Sequence, residues 1–60
     1  MTKTQELVIN KAQENGGTYV IQGNGVMRQL DAALQLARKY PKRYSASQPE
    51  MFKVIFTVLK

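Results

Sequence analysis

A basic and aromatic segment, residues 38–44, is the part of this 60-residue chain whose composition most clearly predicts a chemical role. Its four cations and two tyrosines are Arg38, Lys39, Lys42, Arg43, Tyr40 and Tyr44. Cations that neutralise phosphates, beside aromatic rings that stack or pack, are the combination used to bind nucleic-acid backbones and single strands. A structural interpretation stays open as well, because basic residues are favoured at a helix C-terminus. That interpretation leaves Lys42, Arg43 and Tyr44 without an explanation.

The side chains on which most enzymes rely are absent. The chain has no cysteine and no histidine, so thiol nucleophiles, thiolate ligands and imidazole bases are all missing. Ser45 and Ser47 therefore cannot belong to a Ser-His-acid site and are predicted to lie in a loop before Pro49. No spacing pairs two of the four carboxylates, which are Glu6, Glu14, Asp31 and Glu50. We expect a binding protein without catalysis, cofactor or metal.

A glycine-containing turn, Gly23-Asn24-Gly25, is a second candidate for ligand contact. It follows a predicted strand and precedes a predicted helix, where backbone N–H groups bind phosphate in nucleotide-binding loops. The dinucleotide-binding pattern needs a third glycine where Arg28 stands, so an ordinary tight turn explains these glycines better. Arg28, near the helix N-terminus, is predicted to bind one phosphate of a nucleic-acid backbone as a minor site.

Length and charge restrict the class of protein. Residues 1–60 form one small domain, and a domain of this size buries only about 60% of the surface that its unfolded chain exposes. Because no disulfide can add stability, we expect a homodimer. The net charge of +5 favours nucleic acid or an acidic host protein as the partner, although many small proteins are basic for solubility alone. The polar first six residues and the short apolar stretches predict a cytoplasmic protein without membrane contact.

Two elements follow from the hydrophobic periodicity. From about residue 27 to residue 40, apolar residues recur every three to four positions, which predicts an amphipathic helix that ends at Pro41. From about residue 51 to residue 59, one alternating set of residues is apolar and the other is only half polar, which predicts a strand covered on both faces. Such a strand lies centrally in a sheet or pairs across a subunit boundary. The residues predicted for that interface are Phe52, Val54, Ile55, Phe56 and Val58.

The first half of the chain leaves one choice open. Residues 18–22 lie between glycines and predict a short strand. Residues 3–14 fit a helix capped by Thr2 and Gln5, but they also fit a strand joined to residues 18–22 by a tight turn. The hairpin would mix polar and apolar residues on both faces, which favours the helix. The expected fold class is α+β, with a small sheet and one clear amphipathic helix, in the order α-β-α-β or, alternatively, β-β-α-β.

The helix predicted for about residues 27–40 has the pattern Leu30-Asp31-x-Ala33-Leu34-x-Leu36-Ala37. A strand precedes this helix, and a polar loop and a final strand follow it. This order resembles small bacteriophage proteins that bind host machinery, such as phage inhibitors of bacterial RNA polymerase. The resemblance covers about residues 18–59 and implies a phage or mobile-element origin, without implying any binding residue. Small anti-defence proteins, including anti-CRISPR inhibitors, fit the same description.

Three functions are therefore considered. The first is a non-catalytic nucleic-acid-binding accessory protein that contacts phosphates through the four cations of residues 38–43, with Tyr44 against a base or sugar. The second is a small inhibitor of a host protein. It either docks on an acidic surface of that host protein or adds a strand to a host sheet along the edge of residues 51–59. The third is a purely structural dimeric module.

Overall fold

The computed structural model describes residues 2–59, and within them the chain forms two helices and one three-stranded sheet. The elements, in order, are α1 (Lys3–Glu14), β1 (Thr18–Gln22), a 3-10 turn (Asn24–Val26), α2 (Met27–Lys39), β2 (Tyr44–Glu50) and β3 (Lys53–Val58). The α+β class and the α-β-α-β order are confirmed, with β2 as an additional strand before the last one. α2 ends one residue earlier than predicted, and β3 starts two residues later than predicted.

Residues 3–14 form a helix because both of its ends are satisfied locally. The Thr2 hydroxyl accepts a hydrogen bond from the Gln5 N–H at 3.1 Å, and the Thr2 N–H donates to Gln5 Oε1 at 3.0 Å. This reciprocal pair satisfies two backbone donors at the helix start. At the other end, Gly17 has a φ of 106° and donates its N–H to the Ala12 carbonyl. A left-handed exit of this kind favours glycine, and it turns the chain directly into β1.

Replacing Thr2 with alanine tests this cap. We expect Thr2→Ala to lower the free energy of unfolding by about 1 kcal/mol, because the helix loses the side chain that accepts from its first turn. In a domain of this size the melting temperature should fall by about 4–8 °C. Thr4→Ala is the control, since Thr4 lies inside α1 and alanine is the better helix former there. An equal loss of stability in both variants would show that the cap is not responsible.

β3 is the central strand of the sheet. The strand order is β1-β3-β2, and both pairings are antiparallel. Ile55 lies opposite Val20 on one side and opposite Ser47 on the other. The prediction of a central position is confirmed, and with both edges of β3 occupied, strand addition to a host sheet along residues 51–59 is excluded.

The core lies between one face of the sheet and the two helices. Its buried residues are Val8, Ala12, Ile21, Leu30, Ala32, Ala33, Leu36, Val54 and Phe56. On the opposite face of the sheet, Lys53, Ile55 and Thr57 are half-buried, and neither helix packs over them. The prediction that β3 is covered on both faces is therefore wrong for the chain by itself. Ile55 keeps partial cover because the neighbouring strands flank it.

The predicted interface residues do not form one surface. Val54 and Phe56 are 0% exposed, and Val58 packs against the same core, so the chain's own helices cover them. Ile55 points to the uncovered face, and Phe52, at 38% exposure, lies in the turn between β2 and β3. The apolar character of this strand therefore reflects packing in the chain's own core. The prediction of a subunit interface along this strand is wrong.

The strand β2 was not predicted from the sequence. Only Tyr44 and Ala46 of this strand pack against the core, and the other positions are exposed and, apart from Pro49, polar. Ser45 and Ser47 lie opposite Thr57 and Ile55 in the sheet, which corrects their assignment to a loop. The pairing register shifts between Ser47 and Glu50, and this irregularity accommodates Pro49 at the sheet edge.

Candidate nucleic-acid interface

The turn between α2 and β2 is held by backbone hydrogen bonds at both of its ends. The Tyr40 carbonyl accepts from the Arg43 N–H at 2.9 Å and from the Tyr44 N–H at 3.0 Å. The Arg43 carbonyl accepts from the Leu59 N–H at 2.8 Å, which ties the turn to the end of β3. Pro41 further restricts the backbone, because its ring fixes φ. The cations of this segment therefore project from an ordered frame.

The two tyrosines anchor this turn to the core. The Tyr44 ring stacks on Phe56 with 5.4 Å between ring centroids and 28° between ring planes. Tyr40 meets Tyr44 edge-on, with centroids 6.1 Å apart. One face of the Tyr44 ring is thus occupied by a buried side chain, which limits the predicted contact of Tyr44 with a base or sugar. Its observed contacts are those of a packing residue.

Arg38, Lys39, Lys42 and Arg43 are all exposed, and we call these four residues the basic cluster. Lys39 also places its Nζ 5.6 Å from the centroid of the Tyr40 ring, a cation–π contact at the edge of the cluster. The structure thus leaves all four cations that the sequence predicted as phosphate contacts accessible to solvent.

The basic cluster contains the whole charge excess of the described residues. Outside it, residues 2–59 carry four basic and four acidic side chains, which balance. They are Lys3, Lys11, Arg28, Lys53, Glu6, Glu14, Asp31 and Glu50. Among the described residues, the excess positive charge is therefore concentrated at one end of α2 and is not spread over the surface.

Both helices end beside the last residues of β3. The Gly17 carbonyl, just after α1, accepts from the Val58 N–H at 2.7 Å, and the Arg43 carbonyl accepts from the next N–H, that of Leu59. The C-terminal ends of helices carry partial negative charge, which stabilises nearby cations. For the basic cluster this is the end of α2, whose last turn contains Arg38 and Lys39, and it partly offsets the repulsion between the four like charges.

A shallow depression of about 190 Å³ adjoins the basic cluster and is lined by Arg43, Tyr44, Val58 and Leu59. It offers a partly apolar surface next to a guanidinium group, which suits the edge of a sugar or base. Leu59 was not predicted to belong to this site, because its contact depends on the register of β3 against β2.

Arg28 lies apart from the basic cluster. It is in the first turn of α2, and with a rise of 1.5 Å per residue it lies about 15 Å along the helix from Arg38. It borders an open groove of about 330 Å³ that also contacts Thr4 and Leu7 of α1. Residues 24–26 form a 3-10 turn, and Gly23 has a φ of 117°, which is sufficient reason for glycine there. The predicted minor phosphate site is thus a separate location.

The described part of the chain offers neither a metal site nor a membrane-spanning helix. Within residues 2–59, no three His, Cys, Asp or Glu side chains gather in a way that could hold a metal ion. Neither α1 nor α2 has the length and apolar character required to cross a membrane.

Comparison with known proteins adds no relative. No protein-family model, no curated protein and no solved structure matches this chain. The resemblance to small bacteriophage proteins therefore stays an expectation from the order of the elements.

Proposed function

We propose that this protein is a non-catalytic nucleic-acid-binding accessory protein whose basic cluster binds the phosphate backbone. The observation that carries the proposal is the segregation of charge. The four cations of the cluster are exposed at the end of α2 and on the ordered turn that follows it, while the charges elsewhere in residues 2–59 balance. A protein that is basic for solubility alone has no need to concentrate its excess charge in one short segment.

The geometry favours binding that depends little on sequence. Lysine and arginine side chains on a surface turn reach phosphate oxygens, which carry no base identity. Tyr44 has one ring face against Phe56, so it has less ring surface to offer a base than a free aromatic side chain would. The depression beside Arg43 accepts at most the edge of a sugar or base. We propose contacts with phosphates and sugars in the cytoplasm of a phage-infected or element-bearing cell.

A second candidate function is inhibition of a host protein. Large apolar side chains are exposed away from the basic cluster, notably Met51 at 76% and Met27 at 47%. These residues, with Phe52, are the kind of anchor that protein interfaces use. On this alternative the basic cluster faces an acidic host surface. Strand addition would have to use β1 or β2, since β3 is central.

The salt dependence of binding tests the first function. Binding is measured at several salt concentrations with a fluorescent single-stranded oligonucleotide and with a duplex of the same sequence. The logarithm of the association constant should fall linearly with the logarithm of the salt concentration. Three or four phosphate contacts predict a slope of about −3 to −4 for duplex DNA, and a smaller one for single strands. A slope near zero, or no binding at low salt, would contradict the proposal.

A pull-down from nuclease-treated lysate separates the two functions. If the protein binds nucleic acid, the nuclease should remove its co-purifying partners. Retention of one host protein in stoichiometric amount, in the absence of any oligonucleotide binding, would instead support the inhibitor.

A further inference from the structure

The outer edge of β1 is the open edge of the sheet. β1 is the terminal strand in the order β1-β3-β2, and its sequence, Thr-Tyr-Val-Ile-Gln, contains no charge and no proline. Edge strands usually carry lysine, proline or a bulge that prevents pairing with another chain. β1 has none of these features, and Val20 at its centre is 48% exposed.

The hydrogen bonds of the sheet identify which backbone groups of β1 are unused. The Gly17 carbonyl accepts from Val58, and the Gly23 N–H donates to Phe52 at 2.9 Å. Bonded and non-bonded pairs alternate in an antiparallel ladder, so Tyr19 and Ile21 direct their backbone groups to β3. Thr18, Val20 and Gln22 consequently direct theirs away from the sheet.

The other edge of the sheet is blocked. In β2, the Tyr44 N–H is already bonded to the Tyr40 carbonyl, and Pro49 has no N–H. The register shift between Ser47 and Glu50 further interrupts a regular row of donors and acceptors. The two edges therefore differ in their capacity to pair.

We propose that β1 is a pairing surface for a second copy of this chain, with the two strands antiparallel about a twofold axis at Val20. In that register, Thr18 of one copy lies opposite Gln22 of the other, and Val20 lies opposite Val20. All three outward-directed residues of each copy then find partners with matching backbone groups. The result is a continuous sheet in which β1 is no longer an edge.

Charge does not oppose a second copy as the occupant. The paired sheet places β2 at both outer ends, so the two β2 strands are five strand spacings, or about 24 Å, apart. The basic clusters that precede them are then separated by more than the Debye length of about 8 Å at physiological ionic strength. Pairing at β1 thus adds no strong repulsion. Because the edge has five residues, we expect a weak, concentration-dependent dimer.

Amide hydrogen exchange tests the pairing directly, without nucleic acid present. Between about 20 µM and about 1 mM protein, the amides of Thr18, Val20 and Gln22 should gain protection, while those of Tyr19 and Ile21 are protected throughout. The amide of Ala46, on the outer side of β2, is the control and should not change. Sedimentation velocity should shift over the same range from 6.8 kDa toward twice that mass.

A matched pair of substitutions identifies the surface. Val20→Lys puts like charges opposite each other in the dimer and should raise its dissociation constant about fivefold to tenfold. Ser47→Lys adds the same charge in the same row of the sheet, on β2, and should have little effect. An equimolar mixture of Val20→Lys and Val20→Glu should associate again.

Three results would overturn the proposal: a monomer up to about 1 mM, association that leaves the Val20 amide unprotected, or equal weakening by Val20→Lys and Ser47→Lys. If the protein stays monomeric, the β1 edge would instead be available for a strand from another protein. These outcomes do not depend on nucleic-acid binding, so the two proposals fail independently.

Discussion

Replacing Lys42 and Arg43 with glutamate is expected to weaken nucleic-acid binding by about 100-fold at low salt. A hydrogen bond to a charged group contributes about 1.5 kcal/mol, so two lost phosphate contacts correspond to about two powers of ten. The slope of the salt dependence should become shallower by about 2. Both side chains are exposed, and the turn is held by backbone bonds, so the fold should not change.

A second double substitution separates local charge from net charge. Lys3→Glu with Lys11→Glu changes the net charge by the same amount at two exposed positions of α1 that have no predicted binding role. An acidic residue is favourable at the start of the helix and unfavourable at its end, so the two effects offset each other and this control should stay folded. We expect it to bind with an affinity within about threefold of the original, as surface charges distant from the contact are screened. Equal losses in the two variants would mean that the basic cluster is not the contact.

Replacing Phe56 with alanine is expected to remove most of the folding stability of the chain. Phe56 is fully buried in the central strand and contacts the Tyr44 ring, and truncation of such a residue costs about 3–5 kcal/mol. At about 0.05–0.15 kcal/mol per residue, the whole chain has a stability of only about 3–9 kcal/mol. Circular dichroism during urea titration should show a lost or strongly shifted transition.

The neighbouring position provides the control for this core substitution. Ile55 belongs to the same strand but points to the face that the helices leave uncovered, so Ile55→Ala should cost only about 1 kcal/mol. If Ile55→Ala were as damaging as Phe56→Ala, the outer face would have to be covered by something. That result would restore the original prediction of a strand buried on both sides.

The elements with strong periodicity were predictable from the sequence. The apolar positions of α2 and the capping pattern at Thr2 give local signals that do not depend on the rest of the fold. The position of Ala32 was not predictable in this way. It is buried on the flank of α2 that faces α1, where Gln35 accepts a hydrogen bond from Gln5, and this contact exists only after the helices pack.

The basic cluster was predictable as a set of residues, but the role of Tyr44 was not. A tyrosine among cations has the same sequence signature whether its ring faces a base or the core. The orientation of the Tyr44 ring follows from its position in β2. This strand was not predicted, because its sequence is polar and contains Pro49. Once β2 pairs with β3, the alternation of the strand turns Tyr44 toward Phe56 and leaves the cations of the turn exposed.

The irregular end of β2 also determines how far assembly can proceed. A sheet with two open edges can add copies without limit and grow into a filament. Here Pro49 and the register shift close one edge, so growth through β1 would stop at a finite pair. Replacing Pro49 and removing the irregularity would give each copy a second open edge, and polymerisation would then need no new side-chain contact.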